Sequence, residues 1–393
     1  MKRKIAVVTT SRADYGHLYW PLHDLSARAD VDLQIVAMGS HLSPEFGQTV
    51  QEIERDGFPI AARIECLLSS DTDVGMAKTI GVATLSLSDV FGQMRPDLLL
   101  LIADRYEMLA PASVALALRI PIAHIEGGEI SEGAIDDAVR NAITKMSHIH
   151  FTSTHAARQR IISMDEEEWR VHRAGAPSLD HLRRQTLLTR EQVETKLWID
   201  LQQPSILVAY HPVTLARDTI YEADAVFSAL DQLPDQLLFC FPNADAGSRA
   251  LIERTKSFLR ERDSGKLFVN LDALTYWSLL REVGLLLGNS SSGIMETASF
   301  ALPTVNVGFR QQGRDRAVNV IDTVPERNSI LASVKRAQSL EFRETLAGMT
   351  NPYGDGRAAG KIVQVLTEVP LNEELLIKRH LSNYEQTAPS AAR

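Results

Sequence analysis

What most constrains this chain is a rhythm in which short apolar runs, bounded by turn residues, alternate with longer amphipathic stretches. Runs too short for a helix, separated by stretches long enough for one, spell βα repeats, and such repeats fold into a parallel sheet with helices on both faces. Strands are expected at Lys4–Thr10, Val31–Met38, Ile60–Ile64, Leu98–Ile102, Ile120–Ile125 and Ile149–Thr152. Helical stretches fall near His17–Arg28, Met76–Met94, Glu107–Arg119 and Asp136–Met146. A charge-rich interval from Asp180 to Gln203 breaks the rhythm, which resumes at Ser205–Tyr210, Gln236–Phe241, Leu267–Asn270, Gly284–Leu287 and Thr304–Val307. At 393 residues the chain exceeds what one core usually organises. The expected fold is therefore α/β, with two doubly wound, Rossmann-like domains over residues 1–180 and 181–369. Residues 370–393 read as a helix to about Gln386 and a frayed tail. Paired doubly wound domains are expected to face a cleft at the carboxyl ends of their strands, where ligands of this architecture bind.

Composition narrows the classes of partner. A net charge of −9 offers no broad basic field for nucleic acid or an anionic membrane, while leaving room for an anionic small molecule met by local arginines. Cys66 and Cys240 lie far apart in apolar surroundings, which suits buried free thiols rather than a disulfide framework or a zinc site. The start Met1–Thr10 is basic, but its apolar run is too short for a signal sequence, and Leu98–Ala103 is too short to cross a bilayer. A cytoplasmic protein is expected, with neither membrane nor nucleic acid as partner.

Chemistry concentrates at strand ends. Asp104, Arg105 and Glu107 directly follow the run Leu98–Ile102, and Glu126 with Gly127-Gly128 follows the next strand, which also holds His124. The glycine pair reads as a place where a ligand approaches the backbone. Asp136-Asp137 opens a helix, and with Asp104 and Glu126 it supplies a third carboxylate in one βα neighbourhood, as acid/base work on two faces of a substrate requires. No His/Cys spacing supports a metal centre, and no cofactor is called for. In the second half His211 ends a strand, and Gly288-Asn289-Ser290-Ser291-Ser292-Gly293 joins a strand to a helix carrying Glu296. Small hydroxylated residues at a helix N-terminus suit a diphosphate. Arg12 after the first strand, and Arg310 and Arg314 after the last, are placed to neutralise it.

Taken together and in this order, Thr10–Gly16, Gly39–Leu42, Ala103–Arg105, His124–Glu129, Ile135–Asp137, Asn289–Glu296 and Gly308–Arg314 resemble the UDP-N-acetylglucosamine 2-epimerases, and more closely their hydrolysing branch in sialic-acid-type synthesis. The resemblance implies a glycosyltransferase-B type fold and a C-terminal helix that crosses back to the first domain. It implies Asp104, Glu126 and Asp136 as the catalytic acids with His211 near the diphosphate. It further implies Ser290, Ser291, Gly293, Glu296, Arg12, Arg310 and Arg314 around the nucleotide, and His41 near the sugar. The implied reaction eliminates UDP across C1–C2 and hydrates the resulting 2-acetamidoglucal, in a homodimer or homotetramer. Ala103 stands where the family commonly has glycine, which leaves open a 2,4-diacetamido-2,4,6-trideoxy sugar as substrate. The non-hydrolysing epimerase, a retaining glycosyltransferase and a silent nucleotide-sugar sensor are the competing readings.

Overall fold

In the computed structural model, which describes residues 2–68, 72–130, 135–211, 219–241, 246–262, 264–269 and 271–379, the first apolar run forms β1 (Arg3–Thr9). Its last five residues are all buried. A strand buried along its length is covered on both faces, as in a parallel sheet. It is joined by β2 (Val31–Met38), β3 (Ile60–Ile64), β4 (Leu98–Ile102), β5 (Ile122–Ile125), β6 (Ile149–Thr152) and β7 (Val171–Arg173) in one seven-stranded parallel sheet, ordered β3-β2-β1-β4-β5-β6-β7. The second sheet has six strands: β8 (Ser205–Ala209), β9 (Gln236–Phe241), β10 (Gly265–Val269), β11 (Leu285–Gly288), β12 (Thr304–Val307) and β13 (Val320–Thr323). Their order is β10-β9-β8-β11-β12-β13.

Strand β5 starts two residues later than the periodicity predicts. The Ile120 amide bonds back to Ala115 and closes the preceding helix Leu109–Ala117, and the chain enters the sheet only after Pro121. Strands β7 and β13, three and four residues long, were not foreseen. Each is an edge strand defined by its pairing to a neighbour, with too few residues to show a period.

The chain divides into two compact units, the first comprising Met1–Glu129, Ala134–His181 and Tyr353–Arg393, the second Ile130–Gly133 and Leu182–Pro352. Residues 353–369, expected with the second domain, thus group with the first. The helix Ala358–Glu368 buries Ala358, Ile362, Val363 and Leu366 in the first core. Asp180 caps it, its two carboxylate oxygens accepting the Ala358 and Ala359 amides at 2.8 and 2.9 Å. Of the expected C-terminal helix, Glu373–Leu376 is seen, and residues 380–393 lie outside the described residues. The fully buried Arg170 donates to the carbonyls of Glu374, Leu375 and Ile377 and so straps this segment down.

The helix Asp73–Met94 buries Gly75, Thr79, Ala83, Leu87 and Phe91, a stripe spaced by four residues that docks it on the first core. Its other side mixes Val74 and Leu85, exposed at 57% and 74%, with exposed Lys78, Ser88 and Asp89. It is the one described helix long and apolar enough to cross a membrane by length and composition alone.

In each sheet the strand order reverses once, between β1 and β4 in the first and between β8 and β11 in the second. At such a switch point the connections leave to opposite faces, so the loops part and expose the strand ends. Both candidate sites lie at these points.

Candidate active site

In the first unit the two strand-end residues Ala103 and Glu126 both have left-handed backbone, with φ of 59° and 64°. Such a conformation costs a side-chain-bearing residue on the order of 1 kcal/mol, and surrounding bonds must enforce it. The Ala103 amide donates to Ile125 at 2.9 Å and the Glu126 amide to Phe151 at 2.8 Å. His124 Nε2 donates to the Ala103 carbonyl at 2.8 Å. The effect is to turn Asp104 and Glu126 out of the sheet at its carboxyl edge. Ala103 therefore occupies a position where glycine would fit without strain, which accounts for glycine in the family pattern.

His124 is fully buried, and its burial pushes its pKa down to about 4, so it is neutral. With Nε2 donating, Nδ1 accepts the Thr144 hydroxyl at 3.3 Å. It is a brace. The glycine pair beside it is a packing device as well, correcting the ligand-approach reading. A Cβ on Gly127 would meet His124, Thr144 and Ile161 at 3.0 to 3.1 Å, and one on Gly128 would collide with the Ala157 carbonyl of the helix His155–Ser163.

Asp104 is not a helix cap. It ion-pairs with Arg140, which is 3% exposed, lies on the helix Ile135–Met146 and also donates to the Glu129 carbonyl at 2.9 Å. Asp137 lies 3.7 Å from Arg140 and accepts from Asn141 at 3.2 Å. Asp136, in the first turn of the same helix, is half-buried and carries no ion pair among the described residues. Glu126 meets His17 Nδ1 at 2.7 Å, with side-chain exposures of 11% and 31%. Glu107 is buried against Arg105 at 2.6 Å and braces the same loop. Arg140 and His17 were missed by sequence reasoning. Arg140 had a weak signal, its i,i+3 spacing from Asp137, whereas nothing about His17 in the helix Arg12–Ser26 points to a carboxylate more than a hundred positions away.

Arg12 opens that helix half-exposed, with its guanidinium 3.6 Å from Glu52. Its loop is shaped by Asp14, whose buried carboxylate accepts the amides and hydroxyls of Thr10 and Ser11. His41, expected near the sugar, is fully buried, and both ring nitrogens are taken, by Thr9 at 2.9 Å and Thr49 at 2.8 Å. It pins the turn after β2 to the end of β1 and to Thr49, and has no surface to offer a ligand.

In the second unit Asn289 is the hub. Gly288, with φ of 153°, has no room for a Cβ against the Ala209 carbonyl, so the ends of β8 and β11 can touch only through glycine. Asn289 then accepts the His211 amide at 2.7 Å and donates to the His211 carbonyl at 2.8 Å, fixing His211 at the switch point. Its own carbonyl accepts Arg310 Nη1 and Gln311 Nε2, each at 2.9 Å. Burial, and then the charge of Arg310, push the His211 pKa down to about 4, so it too is neutral. Among the described residues neither Arg310 nor Arg314 pairs with a carboxylate, and desolvation followed by the nearby Arg314 charge lowers the Arg310 pKa. Two guanidiniums held together without a counter-charge form a place for an anion.

The helix after the serine loop, Ser292–Met295, is only four residues long, so it lacks the dipole expected of it. Its turn consumes the amides from Ser292 to Glu296. That includes Gly293, whose Cβ would meet Leu286 and Thr304 at 3.0 Å, making it a packing glycine rather than a diphosphate contact. Ser290 and Ser291 stay at the mouth of the turn. Glu296 accepts the Ser292 hydroxyl at 2.7 Å, and Ser292 accepts from Tyr276 at 3.0 Å, so the carboxylate is aimed by a relay of hydroxyls.

Buried neutral histidines make the fold acid-sensitive. His124 and His148 are both lowered to about 4, chiefly by burial. Between the unfolded value near 6.5 and about 4 the unfolded chain holds more protons, so stability is full above that window and falls with pH inside it. Each group contributes up to about 1.4 kcal/mol per pH unit there. Thermal melts should shift steadily down from pH 7.5 to pH 5, and a flat melting temperature would contradict neutral burial.

Two doubly wound units, one with strand-end acids and the other with two arginines that pair with no described carboxylate, define an α/β enzyme of the glycosyltransferase-B type. The family model for UDP-N-acetylglucosamine 2-epimerase matches residues 23–367. The chain is 38% identical to the UDP-N,N'-diacetylbacillosamine 2-epimerase (hydrolyzing) of Legionella pneumophila, over 96% of this chain and 99% of that one. It is also 38% identical to the GDP/UDP-N,N'-diacetylbacillosamine 2-epimerase (hydrolyzing) of Campylobacter jejuni, over 87% of this chain and 89% of that one. In fold it is similar to the UDP-GlcNAc 2-epimerase of Neisseria meningitidis bound to UDP-GlcNAc, with a TM-score of 0.80 and 18% identity over 93% of this chain and 100% of that one. The chain belongs to the UDP-N-acetylglucosamine 2-epimerase family.

Proposed function

We propose that this protein is a hydrolysing 2-epimerase that converts UDP-N-acetylglucosamine, or a related UDP-2-acetamido sugar, into UDP and the free C2-inverted sugar. The observation that carries the reading is the division of labour between switch points, with strand-end carboxylates at one and guanidiniums that pair with no described carboxylate at the other. A carboxylate takes the weakly acidic C2 proton as the C1–O bond breaks and UDP leaves. A second acid then delivers a proton to C2 from the other face, and water adds at C1. Asp104, Glu126 and Asp136 are the acids. Arg310, Arg314 and the neutral His211 hold the leaving diphosphate with Ser290 and Ser291, Glu296 takes a ribose hydroxyl, and Arg12 meets the anion from its own loop. Elimination and hydration need only proton transfer and anion stabilisation, so we assign no cofactor.

A second reading, UDP-2,4-diacetamido-2,4,6-trideoxyglucose as substrate, is favoured by the names of the relatives at 38% identity. Incubation with each sugar nucleotide in D₂O, followed by phosphorus and proton NMR, tests both. Free UDP with a C2-deuterated, C2-inverted sugar is the expected result, and the faster substrate decides between them. UDP released only when an acceptor is added, or an inverted sugar still bound to UDP, would overturn the hydrolysing assignment.

Changing Arg310 and Arg314 together to alanine should weaken UDP binding by about a hundredfold or more, since charge-assisted bonds to phosphate contribute roughly 1.5–3 kcal/mol each. Calorimetric titration with UDP reads this, and unchanged affinity would remove the diphosphate from this loop.

We further propose a homo-oligomer in which the exposed Val74 and Leu85 of the helix Asp73–Met94 meet the same surface of a second copy, Leu116 on Leu109–Ala117 being exposed at 51% as well. Sedimentation of Leu85→Glu against the parent checks it, dissociation being expected. The buried free thiols of Cys66 and Cys240 suit the reducing cytoplasm, where we place the reaction.

A further inference from the structure

The two strand-end carboxylates of the first unit have unlike partners. Asp104 is held by Arg140, whose guanidinium does not titrate in proteins and so cannot pass a proton on. Glu126 is held by His17, an imidazole, at 2.7 Å. Glu126 is nearly shielded, at 11% side-chain exposure, while His17 is 31% exposed. His17 thus stands between a shielded carboxyl group and solvent.

We propose that His17 is the positioning residue through which Glu126 exchanges its proton with water once in every turnover. This rests on the functional reading above. Whether Glu126 removes the C2 proton or delivers the new one, it ends each cycle in the wrong protonation state. Resetting it takes one proton and no redox partner. If Glu126 ends protonated, its proton passes to the Nδ1 lone pair of His17, and the Nε2 proton of the imidazolium leaves to water. If it ends ionised, water protonates Nε2 and Nδ1–H gives its proton to Glu126; in either direction the ring is left as its other tautomer, which ring rotation or exchange with water reverses before the next turnover. A carboxyl group and an imidazole in hydrogen-bond contact at 2.7 Å can pass one proton in either direction.

Among the described residues, the other groups at this corner do not serve. His124, whose charge would bear on Glu126, is fully buried with both nitrogens engaged. His181, which approaches from the helix Leu179–Arg184, spends Nε2 on the Gly16 carbonyl beside His17 at 2.8 Å. Arg12, on the same helix as His17, faces Glu52.

Two measurements test the relay. In the first, imidazole ¹⁵N shifts of His17 are followed against pH in the full-length protein and in Glu126→Gln. The His17 pKa should fall by about one unit when the carboxylate charge is removed, and identical curves would overturn the pairing without any turnover being needed. In the second, steady-state release of UDP from the preferred UDP-2-acetamido sugar is compared for the parent and His17→Asn, whose amide keeps a donor near Nδ1 but carries no exchangeable imidazole proton. The expected result is a kcat lower by about tenfold or more, a KM within about threefold, loss of the acid limb of the pH profile, and partial rescue by added imidazole. A kcat within twofold of the parent, or a loss that imidazole does not restore, would overturn the relay. If the parent itself releases no UDP from any such sugar, the functional reading fails, and the shift titration still reports on the pair by itself.

Discussion

Glu126→Gln and Asp104→Asn should each lower kcat by about 10²- to 10⁴-fold, the range for loss of a general acid or base, while UDP affinity stays nearly unchanged. Apart from Arg12, the groups proposed for the nucleotide lie in the second unit, so the first-unit acids act on the sugar chemistry and not on UDP binding. The two variants should separate in stability. Glu126→Gln keeps a polar partner for the part-exposed His17 and should melt close to the parent. Asp104→Asn removes the nearer of the two carboxylates paired with Arg140, which is 3% exposed, and leaves Asp137 at 3.7 Å. Breaking a buried ion pair from one side costs roughly 3–5 kcal/mol, so a lower melting temperature is expected for this variant alone. Turnover within tenfold of the parent in both would remove the acid site. Equal melting temperatures would instead show that Arg140 finds another partner.

Gly128→Ala is expected to be the most damaging single methyl group in the first unit. Gly128 has φ of 77°, and an added Cβ would meet the Ala157 backbone carbon and Ile161 Cγ1 at 3.0 Å and overlap the Ala157 carbonyl oxygen. Left-handed strain of about 1 kcal/mol and overpacking of about 1–3 kcal/mol together give a loss of roughly 2–4 kcal/mol. The strand end that carries Glu126 would also shift, so residual activity should fall beyond what unfolding explains. Gly81→Ala and Gly92→Ala are the controls. Both positions lie in the helix Asp73–Met94 with nothing within 4 Å of the added Cβ, and each should gain about 0.5–1 kcal/mol. Chemical denaturation of the three variants reads these signs directly, and a neutral Gly128→Ala would show that the helix His155–Ser163 yields to the loop.

Strand positions were legible because strands buried on both faces must be continuously apolar, and the stretch Leu98–Ile102 can hardly be anything else. Strand-end acids were legible for a related reason: the first polar residue after such a run is placed at the carboxyl edge by the fold itself, which marked Asp104 and Glu126. The histidines were not. His41 and His124 resemble His17 in sequence, but three-dimensional neighbours fill both nitrogens of the first two and aim the third at a carboxylate. Gly127, Gly128 and Gly293 were misjudged in the same way, since a glycine required by a ligand and one required by a neighbouring helix or sheet look alike in one dimension.

The order of residues alone thus determined the two βα series, their approximate division and the loops on which the acids, serines and arginines lie, because those follow from local hydrophobic period and from the position of the first polar residue after each strand. Tertiary structure alone decided three things: that the chain returns to the first unit at Tyr353, that Arg140 fixes Asp104 while His17 faces Glu126, and that Asn289 ties His211 and Arg310 together. Each depends on contacts between residues tens to hundreds of positions apart. Strand order sets those contacts, and local periodicity carries no record of it.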